Sequence, residues 1–423
     1  MNAAPEPECD VLVVGAGLAG LRCAAMLAAH GRSVEVWEAG ERVGGRVRTD
    51  LIDGYRCDRG FQVLNPAYPE LRKAVDLTAL GLQAFEPGIA IRRDTDAIRW
   101  THPLRAPTRI PEMLRHGGLS TREVIALARW AAPAIRPRAL TAGRGDIALV
   151  DALERAGVDG LPRRVVQRFL AGVVLEDDGS TSNAFVLLLA RMFALGTPGL
   201  PEDGMQALPN LLAAALKDRI VLQRRVTQIT RRGSGWVVSS DGHRVCARHV
   251  VVATDPMSAA ALTGLPAPTM RGVVTDWWAT DEPPPGPAML WVDGRATPPG
   301  PVLNCAAISS AAPSYAPAGR HLIAASALLS AAGEPPAEAM MRAHAGDILA
   351  AASVSRWQPV ARHVVADALP AQPAPLRVRQ PIRTGEGLWV CGDHRDTASI
   401  QGALVSGRRV GAAIAKLTVK DFG

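Results

Sequence analysis

Asp10-Val11-Leu12-Val13-Val14-Gly15-Ala16-Gly17-Leu18-Ala19-Gly20, continued by LRCAAMLAAHG to Gly31, decides how this chain begins to fold. Residues 10–14 form a short, β-branched apolar run, the pattern of a parallel strand buried on both faces. The Ala- and Leu-rich segment that follows reads as a helix stopped by Gly31. Between them each glycine has a task. Gly15 permits the tight turn, Gly17 lets backbone approach a pyrophosphate, and Gly20 lets helix pack on strand. Leu18 and Ala19 open the helix, whose free N–H groups and positive dipole end face the phosphates. A second strand, Ser33 to Trp37, ends at Glu38, 18 residues beyond Gly20. A carboxylate there accepts from both ribose hydroxyls and repels a 2′-phosphate. A lone GxGxxG also fits a plain turn, but strand, glycines, helix, second strand and acid occur here in order, as a Rossmann βαβ unit requires.

Composition bounds the rest. A chain of 423 residues exceeds one hydrophobic core, so two domains are expected. Hydrophobic content of 48% against 21% charged describes an ordinary folded protein rather than a disordered one. The net charge of +7 comes almost wholly from arginine, since only Lys73, Lys217, Lys416 and Lys420 are lysines. The arginines are scattered among acids, a solvated surface with phosphate and carboxylate contacts rather than a nucleic-acid groove. The six cysteines form no CxxC pair, so neither a zinc site nor a disulfide framework is expected. Neither a leader pattern nor an apolar run of 18 residues occurs, which predicts a cytoplasmic protein with peripheral membrane contact left open. The segment that raises the membrane question is THPLRAPTRIPEMLRHGG (101–118), with arginines among Leu, Ile and Met; a proline-pinned surface loop is its plainer reading.

A few residues beyond Glu38 and Ala39 comes Glu41-Arg42-Val43-Gly44-Gly45-Arg46. Two adjacent glycines allow close backbone approach, and Arg46 is a fixed cation able to grip pyrophosphate oxygens. This run resembles the second FAD fingerprint of the amine oxidase, phytoene desaturase and protoporphyrinogen oxidase superfamily. Asp58-Arg59-Gly60-Phe61-Gln62-Val63 resembles the segment whose backbone passes the flavin ring, and Pro201 to Pro209 the loop returning to the FAD domain. Arg225-Val226-Thr227 is similar to the strand whose valine contacts adenine. HVVVATDP (249–256), with Ala253, is similar to the strand before the crossing to the substrate domain. LWVCGDHRDTASIQGALVSGRRVGAAI (388–414) resembles the C-terminal FAD motif. The resemblance implies that Gly392 and Asp393 bond the ribityl chain. It further implies that a helix from Ile400, carrying Gln401 and Ala403, aims its N-terminus at the flavin, where it stabilises the negative charge of the reduced ring. Arg42, Gly44, Gly45, Gly60, Phe61, Gln62, Val63 and Val226 complete the cofactor set that it implies.

The fold class expected is α/β: a Rossmann-like FAD-binding domain with an inserted α+β substrate domain, the amine oxidase-like two-domain fold. The FAD domain is read as residues 1–85, 200–265 and 375–423, and the substrate domain as 86–199 (a helical insert) and 266–374 (a sheet). Residues 220–254 alternate as antiparallel strands about turns at Gly233-Ser234-Gly235 and Asp241-Gly242. Ser120 to Glu123 is a capping box, and Asn183 to Leu195 a helix apolar almost all round, ended by Gly196. GVVTDWW, AMLWVD and LIAASALL supply the sheet. One GxGxxG argues against a nicotinamide domain, so electrons leave to an external acceptor, oxygen or a quinone.

Flavin chemistry needs little acid–base machinery from the protein, and no dyad stands out. His394, Arg395 and Asp396, inside the C-terminal motif, are the candidate catalytic residues; a structural histidine and an Arg–Asp pair holding the loop are the alternatives. Glu176-Asp177-Asp178 reads as a capping loop rather than a catalytic cluster. Amine oxidases of the family place a lysine near flavin N5 and an aromatic pair beside the ring. Here the lysines fall elsewhere and Ala398-Ser399-Ile400 stands where the C-terminal aromatic belongs. That C-terminal motif looks closest to plant-type carotene desaturases, with Gln401 where an acid is usual. The function expected is dehydrogenation of a mostly apolar small molecule, by hydride transfer to flavin N5. A non-redox flavin-dependent isomerase of a polyene-like substrate, an amine oxidase, or a flavin-bearing binding protein are the alternatives. Oligomeric state is not legible.

Overall fold

The computed structural model describes residues 8–102, 105–109, 113 and 115–417. Two large sheets organise them. The first has eight strands, with the parallel core Ile220–Val221, Val34–Trp37, Cys9–Val14, His243–Val252 and Leu388–Val390. Val11 pairs with Val34 on one side and His249 on the other. The strands Val226–Arg232 and Gly235–Ser240 extend the sheet as an antiparallel hairpin, which turns at Ser234 and again at Asp241-Gly242 into His243–Val252. Val11, Val13, Leu12 and Val252 are fully buried, as strands covered on both faces must be.

The helix Leu18–Ala29 covers this sheet together with the C-terminal helix Ile400–Ala415. The two run in the same direction: a Cβ at Gly407 would lie 2.1 Å from the Ala19 carbonyl oxygen, and one at Gly411 3.0 Å from that of Cys23. Small residues there let the backbones touch, so both helices begin at the same end of the sheet.

The second sheet has seven strands in the order Gln358–Pro370, Met270–Thr280, His321–Leu328, Asn304–Ala307, Leu290–Asp293, Gly88–Arg92 and Ala97–Thr101. GVVTDWW, AMLWVD and LIAASALL lie within three of them. The strands Gly88–Arg92, Ala97–Thr101, Asn304–Ala307 and Gln358–Pro370 were not anticipated. In the first two, Ile91 and Ile98 are buried and pair in register, and the short Asp94-Thr95-Asp96 turn closes the strands into a hairpin. So the segment 86–199 is not purely helical: its first strands complete the sheet, and helices follow.

Among those helices, Thr121–Ala131 carries the capping box in full, Ser120 and Glu123 each bonding the other's backbone. Asn183–Leu195 is capped by Ser182 and ends at Gly196. Glu176 is buried rather than solvated, and accepts from the backbone N–H groups of Gly179 and Thr181 and from the Ser180 hydroxyl, which shapes the turn before that helix. The 101–118 segment lies only partly within the described residues. Among those residues no helix is long and apolar enough to cross a membrane, and all six cysteines are free.

Candidate functional site

A cavity of about 1230 Å³ runs from the glycine turn at the end of Cys9–Val14 to the seven-stranded sheet. Ordinary small-molecule sites occupy about 300–1,000 Å³, so this one has room for a dinucleotide and a second molecule.

The nucleotide end is made of backbone. Gly15 has φ +105°, and a Cβ there would lie 2.8 Å from the Ala253 oxygen. A Cβ at Gly20 would lie 2.0 Å from the Gly15 oxygen, which is why strand, turn and helix close so tightly. At Gly17 nothing would obstruct a Cβ within 4 Å, and no side chain caps this helix, so its first N–H groups stand at the cavity. The second glycine turn meets the first: the Gly44 N–H donates to the Ala16 carbonyl at 2.9 Å, and Gly45, at φ +60°, sits beside Gly17. This open, donor-rich, side-chain-free cradle fits a diphosphate. Glu38 lies on the wall, its carboxylate accepting from the Ala16 and Gly40 N–H groups at 2.8 Å each.

Of the residues singled out from sequence, Gly15, Gly17, Leu18, Ala19, Glu38, Ala39, Gly44, Gly45, Arg46, Gly60, Phe61, Gln62, Val63, Val226, Ala253, Gly392, Asp393, Ile400 and Ala403 all line the cavity. Segments from both ends and the middle of the chain therefore converge. Arg46 does more than face it: its guanidinium donates to Asp393 Oδ1 at 2.6 Å and to the Ala368 carbonyl at 2.8 Å, locking the second glycine turn to the C-terminal motif. Gly20, Arg42 and Gln401 are not on the wall. Arg42 bonds Asp50 and the Thr49 carbonyl, and the Gln401 amide oxygen accepts from the Glu70 N–H at 2.9 Å.

His394, Arg395 and Asp396 also stand off the wall. The His394 ring packs behind Gly392, where a Cβ would lie 2.5 Å from it, and burial lowers its pKa to about 4. Burial pushes the Asp396 carboxyl up, and Arg409 lies 3.5 Å from it. None of the three side chains faces the cavity.

Sequence reasoning missed a buried junction. Asp58, fully buried, accepts from Thr49 Oγ1 at 2.5 Å, from the Met205 N–H at 3.0 Å and from the Tyr315 hydroxyl at 2.9 Å. Burial raises its pKa to about 6 against the pull of those donors. Asp58 thus ties the segment 59–63 to the return loop at Met205 and to the second sheet's side of the molecule. Gln62 bonds the Arg46 and Arg59 carbonyls, and the Phe61 N–H donates to Thr275 Oγ1 at 3.1 Å. No local pattern in the sequence announces a partner 257 positions away.

The far end of the cavity is walled by Phe85, Ile89, Trp100, Phe169, Val173 and Phe193, drawn from two strands, two helices and the loop before the first of those strands. Phe169 and Phe193 pack edge to face, ring centroids 5.2 Å apart. Glu86 is an acid on this wall, with its oxygens bonded to Arg109 and to the Ala288 N–H. Among the described residues the cavity wall has no lysine.

Known proteins place this architecture. Residues 18–415 match the model of the family described as flavin containing amine oxidoreductase. A putrescine oxidase of Kocuria rosea is 32% identical over 285 residues, 59% of this chain and 57% of the relative, so the match spans little more than half of that protein. Protoporphyrinogen oxidase 2 of Arabidopsis thaliana is 34% identical over 111 residues, 26% of this chain and 22% of the relative. Among solved structures, an oxidoreductase of Methanosarcina mazei superposes with a TM-score of 0.76 at 17% identity, covering 95% of this chain and 99% of the other. A putrescine oxidase bound to putrescine superposes with a TM-score of 0.70 at 22% identity, covering 97% and 99%. Those two likenesses establish the shared two-domain fold. With the family match over nearly its whole length and a dinucleotide cradle in place, the chain belongs to the flavin containing amine oxidoreductase family, with FAD as its cofactor.

Proposed function

We propose that this FAD-dependent oxidoreductase dehydrogenates a mostly apolar small molecule and passes the electrons to an external acceptor, oxygen or a quinone. One observation carries the reading: the wall beyond the glycine turns is aromatic and aliphatic, from Phe85 and Trp100 to Phe169 and Phe193. Such a surface binds by burial of apolar area, about 25 cal/mol per Å², and excludes water from the reacting bond.

In this reading the residues divide the work. The Gly15–Gly17 turn, the first N–H groups of Leu18–Ala29 and the Gly44-Gly45 turn hold the diphosphate; Glu38 accepts from the ribose, and Val226 and Ala253 flank the adenosine end. The Gly392-Asp393 loop, fixed by Arg46, and the start of Ile400–Ala415 hold the flavin end, near the backbone of Gly60 to Val63. FAD supplies the two-electron redox centre when bound. The protein then orients a substrate C–H bond and keeps water away, which requires no acid–base dyad.

A second reading, amine oxidation, is favoured by Glu86, a carboxylate on the substrate wall that suits a cationic nitrogen. Against it stand the Arg109 ion pair at 3.2 Å, which already neutralises that charge, and a cavity wall without lysine. Anaerobic mixing separates the readings. A polyene or other long apolar substrate bleaches the yellow flavin stoichiometrically in the first case, and a diamine does so in the second. Turnover only after prior reduction, with no acceptor consumed, would instead point to an isomerase.

A further inference from the structure

The seven-stranded sheet turns one face toward the cavity, and one row across that face is polar. Strand alternation puts Thr275 on the side of Trp277, Ser326 on the side of Ala324, and Asn304 on the side of Ala306, while Val274, Ala325 and Cys305 enter the core behind. Asn304 pairs in register with Ser326, and Ser326 with Thr275, so the three side chains stand abreast across three strands. At one end Thr275 Oγ1 accepts from the Phe61 N–H and lies 2.8 Å from Ser326 Oγ. At the other end Asn304 is 1% exposed and lines the cavity, yet its Oδ1 has no hydrogen-bond partner among the described residues.

A buried amide oxygen left without a donor is costly, and the surroundings hold it in that condition. Gly172 of the helix Gly160–Val174 passes directly over the amide: a Cβ there would lie 1.8 Å from Asn304 Nδ2, so the amide keeps this position only because that residue is glycine. Phe169, Val173 and Leu290 line the same cavity with carbon. An acceptor set in a carbon-lined cavity, with a serine hydroxyl beside it, is completed by a ligand that can donate and accept at one atom.

We propose that Asn304, backed by Ser326, is a specificity-determining anchor for a hydroxyl group carried by an otherwise apolar substrate. The hydroxyl donates to Asn304 Oδ1 and accepts from Ser326. This rests on the apolar reading of the cavity and narrows it: the substrate class is a bulky or long-chain alcohol rather than a pure hydrocarbon or a charged amine.

The test uses FAD-loaded protein with decanol and undecane, matched in heavy atoms, as probes, and follows binding through tryptophan fluorescence and the flavin spectrum. Asn304→Leu keeps the side-chain shape and removes both hydrogen-bonding atoms. It is expected to weaken decanol about tenfold, the worth of a hydrogen bond in a dry site, while undecane binds as before or tighter and FAD stays bound. Parallel change for both probes, or none for decanol, overturns the anchor alone. Loss of FAD from the variant assigns Asn304 to the cofactor and overturns it too. Wild-type protein that binds neither probe sinks the apolar reading itself, and the anchor with it. Should Asn304→Leu fail to fold, Ser326→Ala serves instead: about a threefold loss for decanol only supports the anchor, and an unchanged affinity refutes it.

Discussion

The two ends of the cavity are built on opposite plans. At the nucleotide end the surface is main chain: three glycines after one strand, two more after another, and the uncapped start of a helix. At the substrate end the surface is side chain, contributed by strands and helices scattered between residues 85 and 365. A backbone cradle tolerates few substitutions, because a Cβ added at Gly15, Gly20 or Gly44 meets a carbonyl oxygen. A wall of side chains tolerates many, because apolar groups of similar volume replace one another. One end therefore preserves a cofactor while the other is free to change what is oxidised.

The sharpest way to break that contrast is Gly20→Val. Its Cβ would start 2.0 Å from the Gly15 oxygen, so the turn and helix cannot both keep their places. Loss of FAD together with destabilisation of several kcal/mol, of order 3 or more, is expected in spectra and thermal melts of the purified protein. A yellow, stable Gly20→Val protein would show that the cradle bends.

Asp58 tests the junction between the two ends through pH. Its carboxyl is held protonated up to about 6 by burial, while in the unfolded chain it ionises near the ordinary carboxylate value. The folded state therefore binds the extra proton between those limits. Stability from this group is full below about pH 4 and is lost as pH rises through 6. Comparing the wild type with Asp58→Asn isolates it: the wild type should lose about 2 kcal/mol more than the variant between pH 4 and pH 7. Identical pH dependence in denaturant melts would show that Thr49, Tyr315 and Met205 hold an ionised group.

The smallest effect is expected at the substrate wall. Phe193→Ala removes the edge-to-face partner of Phe169 and should weaken an apolar ligand about tenfold. FAD content should be unaffected. If the cofactor were lost as well, the two ends would not be separable and the contrast would fail.

How far the sequence was readable follows the same division. The glycine turns, Glu38, the capping box at Ser120 and the helix from Asn183 to Leu195 were legible because each is a local pattern that chemistry allows few ways to satisfy. Arg46 was singled out as a cation and lies on the cavity wall, but its bonds to Asp393 and Ala368 were not legible, since they join residues more than three hundred positions apart. His394, Arg395 and Asp396 attracted attention by type and by their place in a motif, yet none of them lines the cavity. The strands Gly88–Arg92 and Gln358–Pro370 escaped notice because each pairs with a distant segment, and alternation over five residues or an irregular edge strand is a weak signal alone.

By itself the sequence determined that a Rossmann unit opens the chain with an open backbone cradle at its glycine turn, because steric exclusion around glycine and the run of strand, turn, helix and acid act within about thirty residues. Tertiary structure alone decided which side chains share the second cavity end, that Asp58 reaches Tyr315, and that Asn304, Ser326 and Thr275 stand in one row. Those neighbours are set by sheet register and helix packing, and contacts that depend on where distant segments meet leave no trace in local spacing.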